Sequence, residues 1–365
     1  MKTIKVNLHQ NTDRSYKIVA IQDVLQNLQA FLPQNESDRY AIISDNNVAS
    51  LYGRRLTLHL NKHGFKSDLL TFKAGEQSKT FKVAETLLNE MVKLRYTRHD
   101  TVIALGGGVT GDIAGFVASI FMRGILLIQI PTSLLAMVDS SIGGKTGINL
   151  QLGKNLAGTF HQPEMVIIDP TVLKTLPKNE FHNGFAEIIK YGVIADSGLF
   201  RLLEKHKKNE LIRNADIMNK IIVRCASIKA KITEKDEREK GLRMILNYGH
   251  TTGHAIEALS NYKISHGEAI SLGMVIANNI GVNVGTIKAN DAMRINKLLK
   301  LYDLPTSPAH FFPQKQSHEK LWQIMQKDKK VQKSKINFVI PKGIGSTIIY
   351  NMVNKQVFLK SFSVL

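Results

Sequence analysis

Short apolar runs and amphipathic stretches alternate along the first half of the chain. YAIIS (40–44), DLLTF (68–72), TVIAL (101–105), LLIQI (126–130) and MVII (165–168) are rich in aliphatic and β-branched residues and read as buried strands. Between them, 79–95 and 111–121 repeat apolar positions at helical spacing. The opening MKTIKVNLHQ alternates polar and apolar residues as a further strand would. Strands alternating with helices predict an α/β domain with a Rossmann-like, largely parallel sheet. Arg123, Gly124, Gln129 and Pro131 break the apolar stretch 113–138, which therefore reads as helix, turn, strand and second helix, not as a membrane span.

From about Pro177 the pattern changes. Residues 180–194, 215–233, 251–259, 268–279 and 291–301 read as helices, Pro305, Pro308 and Pro313 mark a loop, and 317–326 begin another helix. INFVIP followed by GIGSTIIY reads as a small hairpin. The expected division is an α/β domain over 1–176 and a mainly α-helical domain over 177–365, with the site in the cleft between them.

Charge narrows the partners. The 365 residues carry 49 basic against 30 acidic groups, a formal +19, which suits nucleic acid, a membrane surface or small anions. The lysine concentrations at 205–208 and 327–335 lack the interleaved aromatics of a nucleic-acid platform and read as solvated surface. A single Cys excludes a disulfide framework and fits a reducing compartment; Cys225, in an apolar helix, reads as a packing residue. With no signal-peptide pattern at the start, the expectation is a cytoplasmic enzyme with an anionic substrate and neither a nucleic-acid nor a membrane partner.

Residues 106–111, GGGVTG, follow the strand TVIAL and open a helix, as a pyrophosphate-binding turn would. No acidic residue ends the next strand, where a ribose-binding carboxylate is usual. The acidic candidates lie upstream, at Asp45 and at Glu76 with Lys79, which predicts a dinucleotide held in an atypical way. DSSIGGKTGINLQLGKN (139–155) sets Lys145, Lys154 and Asn155 among glycines on what reads as an anion-binding loop. Its GGKT lacks the earlier glycine of a nucleoside-triphosphate loop. His250, His254 and His266 fall within 17 residues, and Glu187 sits three residues before Lys190 on a helix face. Spacing leaves open which two histidines bind metal, and whether Glu187 is a ligand or half of a salt bridge.

GGGVTGDIAGFVAS, RGILLIQIPTSLLAMVDSSIGGKTGIN, KNLAGTF, GFAEIIKYG, KAKITEKDEREKGLRMILNYGHTTGHAIE and HGEAI together resemble the 3-dehydroquinate synthase family of sugar-phosphate cyclases, from about Asp45 to about Lys330. The resemblance implies NAD and Zn²⁺ (or Co²⁺) as cofactors, with the metal on Glu187, His250 and His266. It puts Asp45, Asn47, Glu76 and Lys79 around the adenosine, Gly107, Gly108, Val109 and Asp112 at the pyrophosphate, and Thr132, Ser133, Asp139, Lys145 and Lys154 on the rest of the cofactor site. It implies catalytic roles for His254, Lys145, Lys190, Asn155, Arg123 and Asp139, and substrate contacts from Lys229, Arg243, Asn247 and one of Lys329 and Lys330. It further implies a homodimer in which Arg123 reaches the neighbouring site. The implied reaction takes 3-deoxy-D-arabino-heptulosonate 7-phosphate to 3-dehydroquinate and phosphate by transient oxidation, β-elimination, re-reduction and aldol closure. The alternatives are another cyclase, such as a 2-deoxy-scyllo-inosose synthase, or a polyol dehydrogenase. The former handles no substrate carboxylate of the kind Lys229 and Arg243 would meet, and the latter lacks the lysine-rich segment.

Overall fold

The computed structural model describes residues 13–32, 38–327 and 336–362. The strand expected in the first ten residues, and Lys329 and Lys330, lie outside them. Six strands form one parallel sheet: β1 Lys17–Ala20, β2 Tyr40–Asp45, β3 Ser67–Phe72, β4 Thr101–Gly106, β5 Leu126–Pro131 and β8 Met165–Ile168, in the order β1-β8-β5-β4-β2-β3. Successive side chains point to opposite faces, and each face has its own core. Ala41, Ile43, Val102 and Ala104 pack under the helices Phe81–Lys93 and Gly108–Ile120, whereas Ile42, Ile103, Leu105 and Ile130 pack with Leu28, Leu56 and Leu60. Burial on both faces is why these strands are continuous apolar runs without polar alternation.

The chain steps from β2 outward to β3, then returns to β4 on the other side of β2. This reversal leaves the C-terminal ends of β2 and β4 side by side around a crevice, where open α/β sheets hold ligands.

Several boundaries differ from the sequence reading. The helix expected from 79 begins at Phe81, because the Thr80 side chain accepts from Val83 N at 3.3 Å, and Lys79 is left in the preceding turn. The helix expected from 111 begins at Gly108. The second helix after β5 is a brief one that ends in a π-helical turn, Ala136–Ser140. The segment read as a loop around Lys145 and Asn155 is an antiparallel hairpin, β6 Lys145–Leu150 and β7 Gly153–Phe160; its glycines obscure the strand alternation. Helices Arg54–Lys62, Ser197–Lys205 and Lys208–Arg213 were not anticipated.

Beyond residue 177 the helices Lys178–Ile194, Ala215–Lys235, His250–Leu259, His266–Asn283, Ala289–Leu301 and Lys315–Lys327 assemble around a third core, with an antiparallel pair β9 Phe338–Gly343 and β10 Ser346–Tyr350 against it. The His266–Asn283 helix is buried on almost every side, so it shows no polar face. Cys225 is fully buried, as a packing residue is. No helix among the described residues is long and apolar enough to cross a membrane.

Candidate functional site

The glycine turn lies at the crevice. A Cβ on Gly106 would fall 2.3 Å from Thr110 Oγ1, so the strand can enter the helix this tightly only through glycine. Gly107 precedes the first turn, formed by Gly108 and Val109 onward, and has no side chain to cover the free amides there. Unpaired N–H groups at such a terminus favour an anion. Thr132 N donates to Gly106 O at 2.9 Å, and Ser133 follows it at the rim.

Asp45 ends β2 beside this turn. Its Oδ1 caps Asn47 N at 3.0 Å and Val48 N at 3.1 Å, while Oδ2 accepts from Thr110 Oγ1 at 3.3 Å. Strand order makes β2 the neighbour of β4, so a carboxylate stands at the glycine turn although none ends β5. Lys79 is 3% exposed and lies 2.6 Å from Asp112 Oδ2, with Glu76 Oε1 at 3.9 Å. Lys79 also donates to Asn155 Oδ1, whose backbone N donates to Asn149 Oδ1 at 2.9 Å. Burial raises the Asp112 carboxyl above its ordinary range against the opposing pull of Lys79. Asn155, expected at the substrate, therefore stands on the nucleotide side.

Three residues from three helices of the helical half meet at one point. Glu187 Oε1 lies 3.3 Å from His250 Nε2 and 3.4 Å from His266 Nε2. Glycine makes this possible: a Cβ on Gly273 would fall 1.9 Å from Gly249 O, and one on Gly267 2.7 Å from His182 O. The helices carrying the histidines can therefore approach each other and the Glu187 helix at backbone contact. His250 Nδ1 sits 3.1 Å from Tyr248 O, which turns Nε2 toward Glu187.

The three side chains fit a divalent cation. Their ligand atoms all lie within 4.8 Å of one another, and both Glu187 carboxylate oxygens are buried, Oε1 facing the two imidazoles and Oε2 the Lys190 ammonium. Metal–ligand bonds of about 2.0–2.2 Å in a tetrahedron set ligand atoms roughly 3.4 Å apart. Burial would raise the Glu187 carboxyl, but Lys190 and His250 outweigh it and hold it well below its ordinary value. Burial lowers the His250 imidazole.

Beside the triad stands a lysine cluster on Asp139. Lys190, which closes on Glu187, lies 3.7 Å from Asp139 Oδ1, and Lys229 lies 2.9 Å from Oδ2. Burial alone would raise the Asp139 carboxyl; Lys229 and Lys190 bring it down to about 2. Burial lowers the Lys229 ammonium. The ring of His254 stands 5.3 Å from that of His250, at right angles to it. Lys145 and Asn247 meet at Glu239, Asn247 donating to Oε1 at 2.6 Å. Arg243 is buried, its two terminal nitrogens donating to Glu237 O and, at 3.1 Å, to Gly143 O. Arg123 is exposed, in a turn where Met122, Arg123 and Gly124 have φ of 47°, 71° and 115°.

Four residues here escaped the sequence reading. Tyr191 donates to Asp139 Oδ1, Glu239 joins Lys145 to Asn247, and Tyr262 lies under the Lys154 ammonium at 4.0 Å. Glu257 contacts both Lys154 (3.3 Å) and His266 Nδ1 (3.7 Å). A signal for Glu257 existed, since His250, His254 and Glu257 share one helix face.

The 3-dehydroquinate synthase N-terminal family model matches residues 69–183, and the 3-dehydroquinate synthase C-terminal model matches 184–331. A curated 3-dehydroquinate synthase from Prochlorococcus marinus (strain AS9601) is 43% identical over 96% of this chain and 97% of its own length. Among solved structures, a 2-epi-5-epi-valiolone synthase from Streptomyces hygroscopicus subsp. jinggangensis 5008, with NAD⁺ and Zn²⁺ bound, superposes with TM-score 0.87 at 27% identity, covering 98% of each chain. A 2-deoxy-scyllo-inosose synthase complexed with carbaglucose-6-phosphate, NAD⁺ and Co²⁺ gives 0.84 at 28% identity, covering 95% of this chain and 96% of the other.

Proposed function

This chain belongs to the 3-dehydroquinate synthase family, and on that premise we propose that it converts 3-deoxy-D-arabino-heptulosonate 7-phosphate to 3-dehydroquinate and phosphate. The observation that carries the reading is the junction of a metal-competent triad, Glu187, His250 and His266, with the buried Lys190–Asp139–Lys229 cluster. One group suits vicinal hydroxyls and the other an anionic, polyhydroxylated substrate.

When bound, NAD supplies a hydride acceptor that later returns the hydride, and the divalent cation supplies a Lewis acid at the reacting hydroxyls. The chain does the rest. The glycine turn and Asp45 seat the dinucleotide, with Asp112 and Lys79 behind them. His254 takes the proton from the substrate hydroxyl being oxidised. Lys190, held charged between Glu187 and Asp139, and Lys229 orient the substrate's oxygens, while Lys145 and Asn247 bind it at the mouth of the cleft and Asn155 braces Lys79 on the nucleotide side. Once the neighbouring carbon is acidified, phosphate departs with the C–O bonding electrons, and its own oxygen receives the proton. The enzyme is accordingly a carbon–oxygen lyase. It works as a cytoplasmic homodimer in which Arg123 of each subunit completes the phosphate site of the other.

The test is purified protein with NAD, Zn²⁺ and the heptulosonate phosphate, following phosphate release and carbocycle formation. Equimolar release and ring closure without accumulating NADH are expected. Turnover of a hexose 6-phosphate instead would assign the chain to the inosose-forming cyclases, and one NADH per product would assign it to the dehydrogenases.

A further inference from the structure

We propose that Glu257 is a positioning residue that couples the metal-binding imidazole of His266 to the nucleotide-side hairpin through Lys154. The inference rests on the metal reading of Glu187, His250 and His266. Glu257 projects from the His250–Leu259 helix, and its side chain is only 8% exposed. A carboxylate so placed is costly unless cations or hydrogen-bond donors surround it. Its two oxygens serve two different elements: Oε2 faces His266 Nδ1 at 3.7 Å, and Oε1 lies 3.3 Å from Lys154 Nζ.

The first contact, too long for a direct hydrogen bond, biases the tautomer by charge. With Nδ1 protonated toward Glu257, the lone pair of His266 sits on Nε2, which points at Glu187 Oε1. For His250 a backbone carbonyl, that of Tyr248, does the same work. The carbonyl is part of the local chain, whereas the carboxylate of Glu257 is itself held from the far side of the cleft.

That far side leads to the nucleotide turn. Lys154 lies on β7, braced over the Tyr262 ring at 4.0 Å. Its neighbour Asn155 points the other way and accepts from Lys79, which pairs with Asp112 in the helix opened by the glycine turn. A continuous set of contacts thus runs from Asp112 through Lys79, Asn155, Lys154 and Glu257 to His266. A dinucleotide seated at the glycine turn would bear on Asp112 and Lys79 and so hold β7, and with it Lys154, against Glu257 and the imidazole. Linkage then requires NAD and metal to strengthen each other's binding.

The test measures Zn²⁺ dissociation constants by chelator competition, without NAD and with NAD raised until the constant stops changing. In the wild type NAD should tighten Zn²⁺ binding on the order of fivefold or more. Glu257→Gln, which keeps the shape and loses the charge, should weaken Zn²⁺ binding about 10- to 100-fold and abolish the NAD effect. Lys154→Met leaves Glu257 on His266, so Zn²⁺ binding without NAD should stay near wild type while the NAD effect disappears. Wild-type Zn²⁺ affinity in Glu257→Gln, or a full NAD effect in Lys154→Met, overturns the inference and leaves the proposed reaction standing. A wild-type protein that takes up no Zn²⁺ overturns the metal reading and this inference with it.

Discussion

Lys229 grips Asp139 twice, its ammonium lying 2.9 Å from Oδ2 and donating to the backbone carbonyl at 2.8 Å. The contact fastens the Ala215–Lys235 helix to the π-helical turn that follows β5. Removing one member of a buried pair costs roughly 3–5 kcal/mol, because the other charge stays buried. Lys190 still faces Asp139, so Lys229→Met should destabilise the protein by about 3 kcal/mol in urea unfolding. A loss under about 1 kcal/mol would mean that the contact is not structural.

Chelation should abolish activity, and Zn²⁺ or Co²⁺ should restore it, since Glu187, His250 and His266 leave coordination positions open. His250→Ala and His266→Ala should lose far more bound metal than His254→Ala, by elemental analysis after dialysis. Equal losses in all three would refute the assignment.

Metal uptake should be pH-dependent. In the metal-free protein, burial would lower the His266 imidazole, but Glu187 and Glu257 outweigh it and raise it to about 9. Only the neutral ring binds metal, so uptake must expel this proton. Below about pH 9 the apparent affinity should fall roughly tenfold per pH unit until other groups titrate. Calorimetry in two buffers of different ionisation enthalpy should show about one proton released per metal near neutral pH. A constant affinity between about pH 7 and 9 would contradict the His266–carboxylate geometry.

Lys145 is half exposed and rests on Glu239, ready to exchange that partner for a substrate anion. Lys145→Ala should cost about 2–5 kcal/mol in kcat/KM. A loss smaller than about tenfold, some 1.4 kcal/mol, would leave it a surface lysine.

Arg123 is tested by subunit exchange between Arg123→Ala and His254→Ala. Random pairing makes about half the dimers mixed, and each mixed dimer has both defects in one site and none in the other. About a quarter of wild-type activity should return from two nearly inactive parents. No recovery after verified exchange would place the action of Arg123 within its own chain.

The sequence alone established five of the six parallel strands, all but β1, together with the helical second half and the glycine turn. Strands buried on both faces must be apolar throughout, and helices packed on one face repeat their apolar positions, so both leave local marks. The His266–Asn283 helix begins two residues before the expected 268, where Ser265 and Glu268 form a capping box. Tertiary structure alone decided which groups meet. Spacing favoured neither His254 nor His266 as partner of His250, whereas the packing of helices across Gly267 and Gly273 brings His266, not His254, against Glu187. Strand order, which no local pattern encodes, set Asp45 beside a glycine turn more than 60 residues away. The lysine segment became a hairpin with Lys154 and Asn155 facing opposite sides of the cleft. Periodicity records how each segment meets solvent and core, but the approach of distant charges follows from how closely whole elements can pack.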